Sequence, residues 1–307
     1  MKRRIDLHVH STASDGLLTP AAVVQMAVDT GLSALSITDH DSMEGVKAVF
    51  KTRIPDSLAF VSGVEISAAP PLSLNRSGSF HVLGYGMDVS HPELNQALDA
   101  QRSARKNRNP LIVEKLQGLG FDISLEAVCE HAGDAQVGRP HIARFMLENG
   151  WAESMDEIFD RYLGKNGPAY VDKTRIPCAD AIRLIRSAGG IAVLAHPLLL
   201  ELEGPEALSA LVGDLKAMGL GGIEAFYSGH SAQETDMLRQ VARDHDLLVT
   251  GGSDYHGSSD SPIRMGLGDG RLQVPYALFE VLQDHLQNRP EHRASSGLKP
   301  ICAHAAV

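Results

Sequence analysis

The 307-residue sequence predicts an α/β fold, a distorted (β/α)7 barrel with a helical subdomain inserted into it. Two observations carry that expectation. Apolar, β-branched runs alternate with helix-period patterns over most of the chain, the signature of parallel strands joined by crossover helices. The rhythm breaks once, between about His91 and Val171, where helical patterns follow one another with no strand between them. Seven strand candidates suffice to curl into a closed or distorted ring, and in such barrels chemistry gathers at the carboxyl ends of the strands.

The elements follow in order. Residues 5–9 read as the first strand, and Thr19-Pro20 supplies an N-cap and a first helical residue for a helix over 21–29 that Gly31 ends. Strands are expected at 34–37, 58–66 and 80–85, with a short helix at 45–50. Beyond the break come a helix at 179–187, a strand at 191–195, a helix at 206–218, a strand at 222–227, a helix at 233–245, a strand at 247–250 and a last helix at 276–287. Within the break, helices are expected at 91–119, 124–131, 141–149 and 154–163, the last opened by Ser154-Met155-Asp156-Glu157 in the form of a capping box. The barrel is therefore assigned to 1–90 and 172–290, the insert to 91–171, and a mobile tail to 291–307.

Composition sets broad limits. A chain with 43% hydrophobic residues can bury a substantial core. The net charge of −10 argues against a protein that coats nucleic acid through a basic surface. Only Cys129, Cys178 and Cys302 occur, with no CxxC, so neither a disulfide framework nor a thiolate zinc site is indicated and a reducing cytoplasm fits. Behind the basic Met1-Lys2-Arg3-Arg4 there is no apolar signal core, and no membrane or protein partner is implied.

The chemistry lies in clusters of histidine and carboxylate. Asp6-Leu7-His8-Val9-His10 puts two imidazoles on one face of an extended segment, because alternate residues of a strand point the same way. Comparable groups return as Asp15, Thr38-Asp39-His40, Gly63-Val64-Glu65, His81, Ala195-His196-Pro197 and Gly252-Ser253-Asp254-Tyr255-His256-Gly257. A lone histidine beside a strand is usually a hydrogen-bonded structural residue. A whole series, nearly all of it just after apolar β-rich runs, points instead to metal ligands; His81 alone sits near the start of its run.

Taken together, these motifs resemble the polymerase and histidinol phosphatase (PHP) family, over a stretch from Arg4 to about Gly268. The resemblance implies a distorted seven-strand barrel holding up to three metal ions. One ion would fall to His8, His10, Glu65 and Asp254, a second to Asp15, His40 and His256, and a third to Glu65, His81 and His196, with Glu65 as the bridge. Imidazoles mixed with carboxylates suit Mn²⁺ foremost, with Fe²⁺, Zn²⁺ or Mg²⁺ as alternatives. Asp6 and Asp39 flank ligands and either orient them from behind or serve as turn-forming residues. The loop over 68–79 makes His81 less secure as a ligand, and His131 is its nearest rival.

Within the insert, Val137-Gly138-Arg139-Pro140-His141-Ile142-Ala143-Arg144, Phe159-Asp160-Arg161-Tyr162-Leu163-Gly164 and Ala169-Tyr170-Val171 resemble the subgroup of nucleoside 3′,5′-bisphosphate phosphatases and related short-oligonucleotide 5′ exonucleases. Arg139 and His141, at the approach to a helix, could hold phosphate through a guanidinium fork and backbone donors. Arg102, Arg105, Lys106, Arg108 and Lys173 are further cations that serve either substrate or a solvated face. The expected activity is metal-dependent removal of the 3′-phosphate of a nucleoside 3′,5′-bisphosphate, with Glu65, Asp254 and His196 at the reacting centre. 5′–3′ exonuclease action on short oligoribonucleotides would be a related activity. The alternatives are a phosphatase for a smaller metabolite such as histidinol phosphate, and a non-catalytic metal-binding module.

Overall fold

Side-chain alternation decides which residues face the middle of the molecule. In the computed structural model, which describes residues 3–71, 74, 80–133, 137–171, 175–257 and 261–288, the strand β1 (Arg4–Asp6) leads to helix α1 (Pro20–Asp29). Then come β2 (Leu32–Leu35), α2 (Glu44–Phe50), β3 (Ala59–Phe60), β4 (Gly63–Ala69) and β5 (His81–Tyr85). On β4, Val64, Ile66 and Ala68 pack outward into the large apolar cluster beneath the helices, which turns Glu65 and Ser67 inward. On β5, Leu83 and Tyr85 belong to the inner cluster and Val82 to the outer one, so His81 shares the inward face.

The chain continues through α3 (Pro92–Gly118), α4 (Leu125–Ala132), α5 (Arg139–Glu148) and α6 (Met155–Ile158), which runs on as one π-helical turn, Phe159–Leu163. It returns through β6 (Ile176–Pro177), α7 (Cys178–Ser187), β7 (Ile191–Leu194), a 3-10 turn Pro197–Leu200, α8 (Gly204–Ala217), β8 (Gly222–Tyr227), α9 (Ala232–Asp244), β9 (Leu248–Gly252) and α10 (Tyr276–Gln287). The expected Thr19 cap accepts from the Ala22 N–H at 3.2 Å. The expected capping box at Ser154 is only half made: Ser154 accepts from Glu157 N–H, but the Glu157 carboxylate reaches back to the backbone N–H of Glu153.

One sheet has the order β1-β2-β3, all parallel, and the other β6-β4-β5-β7-β8-β9. Single hydrogen bonds, not ladders, join them at both seams. At one, Leu7 N–H donates to Gly251 O at 3.2 Å and Asp254 N–H to His8 O at 2.8 Å. At the other, Glu65 N–H donates to Asp39 O at 3.2 Å and Asp41 N–H to Glu65 O at 2.9 Å. The result is a distorted barrel plugged by Ile5, Leu7, Leu83, Tyr85, Ile191 and Val193 and closed below by Phe279 and Leu282 of α10.

Three features differ from the sequence expectation. The strand expected over 58–66 is two strands, because the chain changes sheets at Val61-Ser62: β3 pairs with β2, whereas β4 pairs with β5. β6 is an additional short strand beside the end of β4. The sheet is not wholly parallel, since β5 runs antiparallel to both β4 and β7. Only residues 70–80 connect β4 to β5, a short connection of the kind that suits a hairpin.

The helices of the 91–171 stretch have an apolar cluster of their own, with Ile112, Leu116, Val128, Ile142, Met146, Ile158 and Leu163 at its centre. α3 belongs to both cores, since Leu94 and Leu98 pack into the barrel cluster and Ile112 and Leu116 into the helical one. Pro110 lies between these halves. The expected tail over 291–307 lies outside the described residues. No helix among the described residues is long and apolar enough to cross a membrane.

Candidate metal centre

The rim residues are placed by the strands and by the loops tied to them. Val9 bridges to Tyr255 and His10 N–H donates to Tyr255 O at 2.9 Å, so the His8/His10 segment runs beside the Asp254–His256 loop. Gly252 makes that approach possible, since a Cβ there would lie 2.3 Å from the His8 nitrogen. Asp39, fully buried, accepts from Ser11 N–H, Ser11 Oγ and Ser14 Oγ at 2.7 to 2.8 Å and so holds the loop that carries Asp15. Asp6 does the same on the opposite side, accepting from Ser253 N–H, Ser253 Oγ and Gly266 N–H at 2.6 to 2.8 Å. Both carboxyls are pushed up by burial and drawn back by these donors. Their contacts are with the loops that carry the candidate ligands Asp15 and Asp254, so Asp6 and Asp39 hold those loops in place.

Glu65 sits at the centre, 1% exposed. Its Oε2 lies 2.9 Å from His40 Nδ1, 3.3 Å from His10 Nε2 and 3.4 Å from His8 Nε2, while its Oε1 lies 2.6 Å from His81 Nδ1 and 3.0 Å from His196 Nε2. The two oxygens thus face different groups of imidazoles. Asp254 Oδ1 completes the first group at 3.3 Å from His8 Nε2 and 3.1 Å from His10 Nε2. Asp15 gathers the second, with His256 Nε2 at 3.4 Å and His40 Nε2 and His10 Nδ1 at 3.7 Å. Three sets therefore offer donor atoms within 4.8 Å of one another: His8, His10, Glu65, Asp254; His10, Asp15, His40, His256; and His40, Glu65, His81. A neutral imidazole has one lone pair. His10 therefore serves one set at a time, and with Nε2 turned to Glu65 and Asp254 its Nδ1 faces Ser14 Oγ at 3.4 Å.

His81 lies here because β5 is antiparallel: the start of that strand is at the same end of the barrel as the ends of the parallel ones. His131, its rival from the sequence, instead pairs with Glu148 at 3.3 Å and packs against Phe145.

The electrostatics are those of a cation site. Burial raises the carboxyls of Asp15, Glu65 and Asp254, but the surrounding imidazoles outweigh it and hold all three well below the usual carboxylate range. Burial lowers His10, but the close carboxylates of Asp254 and Glu65 push it up to about 10, whereas His81 falls to about 4, chiefly by burial. His8 Nε2, His10 Nε2, Asp15 Oδ1, His40 Nδ1, Glu65 Oε2 and His196 Nδ1 are buried with no hydrogen-bond partner. Buried polar atoms left unpaired are costly. A convergent set of them, nitrogen and carboxylate oxygen together, suits divalent first-row metals.

Two residues at this rim were missed in the sequence. Glu224 of β8, fully buried, lies with Oε1 2.9 Å from His8 Nδ1 and accepts from His196 N–H through Oε2 at 2.8 Å. Tyr227 donates its hydroxyl to Asp254 Oδ2 at 3.0 Å, and burial beside Asp254 pushes its phenol up, so the proton stays on it. Inward parity on β8 was the available signal, since Ile223 and Ala225 are apolar and pack outward.

The expected substrate residues are placed unevenly. Arg139 and His141 do not precede a helix but occupy the first turn of α5. Arg139 donates to Leu163 O at 2.9 Å and lies over the rings of Tyr170 and Phe159, at 5.5 and 6.0 Å. His141 Nδ1 accepts from Gly138 N–H at 3.1 Å, holding the start of that helix. Arg102 pairs with Asp99 and reaches Ser42 Oγ at 3.5 Å, two residues from His40. Arg108 is buried on α3. Lys173 and the side chains of Arg105 and Lys106 lie outside the described residues.

A barrel rim that gathers six imidazoles and two aspartates around one glutamate, among the described residues, defines a barrel protein able to bind metal ions. The PHP domain model matches residues 6–164, and the chain belongs to that family. It is 33% identical over 257 residues to a 5′-3′ exoribonuclease from Haemophilus influenzae, spanning 83% of this chain and 91% of the relative. It is 31% identical over 257 residues to a 3′,5′-nucleoside bisphosphate phosphatase from Chromobacterium violaceum, spanning 83% and 88%. Among solved structures, a Bifidobacterium adolescentis protein assigned as a metal-dependent phosphoesterase superposes with a TM-score of 0.77 at 28% identity, covering 92% of this chain and 96% of that one.

Proposed function

We propose that this protein is a metal-dependent phosphomonoesterase that removes the 3′-phosphate of nucleoside 3′,5′-bisphosphates, with Mn²⁺ as the preferred cation. The observation that carries this reading is Glu65, whose two oxygens face two separate groups of imidazoles and so suit a carboxylate shared between ions. His8, His10, Glu65 and Asp254 would hold one ion, Asp15, His40 and His256 a second, and Glu65, His81 and His196 a third. When bound, such ions supply an acidified water and neutralise the charge of phosphoryl oxygens during in-line displacement. The remaining work belongs to the chain. Asp6 and Asp39 hold the ligand loops at fixed spacing, Tyr227 fixes the outer oxygen of Asp254, and the low pKa of His81 keeps its imidazole neutral near pH 7.

The 91–171 unit is the substrate-binding subdomain in this reading. Arg139, held by Leu163 O and by the Tyr170 and Phe159 rings, presents a preorganised guanidinium to the phosphate that is not cleaved. His141, Arg102, Arg105, Lys106 and Lys173 are the further candidates for substrate contact. The likeness to the exoribonuclease favours a second activity of the same centre, 5′–3′ hydrolysis of short oligoribonucleotides.

The deciding experiment strips the protein with a chelator, reloads it with Mn²⁺, Fe²⁺, Zn²⁺ or Mg²⁺, and measures phosphate release from adenosine 3′,5′-bisphosphate and histidinol phosphate and mononucleotide release from a short 5′-phosphorylated RNA. The bisphosphate should give the highest kcat/KM with Mn²⁺. Preference for histidinol phosphate, or turnover that survives exhaustive chelation, would overturn the proposal.

A further inference from the structure

We infer that Glu224, on the inward face of β8, is a positioning residue that orients two ligands at once, His8 through its ring and His196 through its backbone. The inference rests on the reading of those histidines as metal ligands.

Both Glu224 oxygens are committed, one to His8 Nδ1 at 2.9 Å and the other to His196 N–H at 2.8 Å, in a site with no solvent access. A carboxylate only accepts hydrogen bonds. The partner on His8 must therefore be Nδ1–H, which leaves the Nε2 lone pair aimed between Asp254 Oδ1 at 3.3 Å and Glu65 Oε2 at 3.4 Å. His8 Nε2 is among the buried atoms with no hydrogen-bond partner, as a ligand atom would be. The second contact addresses strain. His196 has φ +26° and ψ +60°, an uncommon conformation for a side-chain-bearing residue, and it precedes Pro197. Such a conformation persists only when its surroundings hold it. The bond to Glu224 is a direct tether at its own nitrogen. One side chain thus links ligands assigned to two different ions.

An amide cannot replace it. Glutamine offers one acceptor and one donor group where Glu224 serves two donors. If the Glu224→Gln side chain keeps the His196 bond, its NH₂ faces His8 Nδ1, which must then accept, and the ring proton moves to Nε2 in the ion position. If it keeps the His8 bond, the His196 N–H meets a donor.

The test uses full-length protein, stripped and titrated with Mn²⁺ while free Mn²⁺ is followed by electron paramagnetic resonance. Glu224→Gln should weaken binding about 10- to 100-fold, the usual effect of losing an outer partner of a ligand, with an unchanged far-ultraviolet dichroism spectrum. Nitrogen-15 spectra of histidine-labelled, Zn²⁺-loaded wild type should show His8 protonated at Nδ1. Affinity within twofold of wild type would overturn the inference and leave the metal reading intact. Wild-type protein that takes up no Mn²⁺ or Zn²⁺ would overturn the metal reading, and the inference with it. Should the variant fail to fold, the wild-type spectrum decides alone: a proton on Nε2 of His8 in the loaded protein overturns the inference.

Discussion

Replacing Glu65 by glutamine changes the shape of the site least and its chemistry most. The carboxylate is buried and has five imidazole nitrogens within 2.6 to 3.4 Å, divided between its two oxygens. Glutamine keeps the volume but removes the charge and turns one oxygen into a donor group, so it can serve the ions on one side at most. A bound cation contributes several kcal/mol of charge stabilisation to a phosphoryl transition state. Losing one ion position, at about 3 kcal/mol, therefore predicts a fall in kcat of somewhat more than a hundredfold. Steady-state turnover of a 3′,5′-bisphosphate with saturating Mn²⁺ measures the loss, plasma emission spectrometry counts the metal per chain, and circular dichroism checks the fold. Fewer ions per chain and a preserved spectrum are expected. Near-normal turnover with a full metal complement would refute the argument that Glu65 is shared between ions.

Arg139→Ala should cost a charge-assisted contact of about 1.5–3 kcal/mol, roughly a ten- to hundredfold drop in kcat/KM for a bisphosphate. Hydrolysis of p-nitrophenyl phosphate, which has no second phosphate, should change far less, and an equal loss on both would place Arg139 at the reacting phosphoryl group. Tyr227→Phe removes one donor to Asp254 without changing the ring, and should weaken Mn²⁺ binding about tenfold, seen in the same metal titration; an unchanged affinity would reduce Tyr227 to packing. In chelated protein His10 titrates near 10, above its ordinary 6.5, so its proton stabilises that form fully below about pH 6.5 and the contribution is lost as pH rises through 10. A cation must displace this proton, so Mn²⁺ affinity should climb with pH up to about 10 and level off above it, with proton release visible when calorimetry is repeated in buffers of different ionisation enthalpy. Affinity independent of pH would remove His10 from the ligands.

Much of the barrel was legible because its elements carry local punctuation. Thr19-Pro20 before α1 and Gly31 just after it mark boundaries that depend on neighbouring residues alone. What was illegible depends on pairing across the sheet. Nothing local to Val61-Ser62 says that the chain leaves one sheet for the other there; the reason is that Phe60 finds Leu35 while Gly63 finds Tyr85. The candidate ligand histidines stand out in the sequence because they cluster about the ends of apolar runs, and the structure brings them together around Glu65. For Glu224 the parity of β8 signals only an inward face; its purpose shows once His8 and the His196 nitrogen are known to meet it.

The position of His81 follows from the direction of β5 more than from its own neighbours. A fully parallel strand beginning at residue 81 would start at the amino-terminal floor of the barrel and leave its histidine far from Glu65. With only 70–80 between β4 and β5, the chain reverses and the two strands pair antiparallel. Reversal pairs Ser67 with His81 and Glu65 with Leu83, two residues apart along one inward face, and brings His81 Nδ1 to 2.6 Å from Glu65. The antiparallel course of β5 thus brings the first residue of that strand to the rim, beside Glu65 of β4 and the segments that follow β1, β2 and β9. The stretch over 68–79 weakens the case for His81 when only the sequence is read, whereas the antiparallel pairing of β4 with β5 puts His81 in the site.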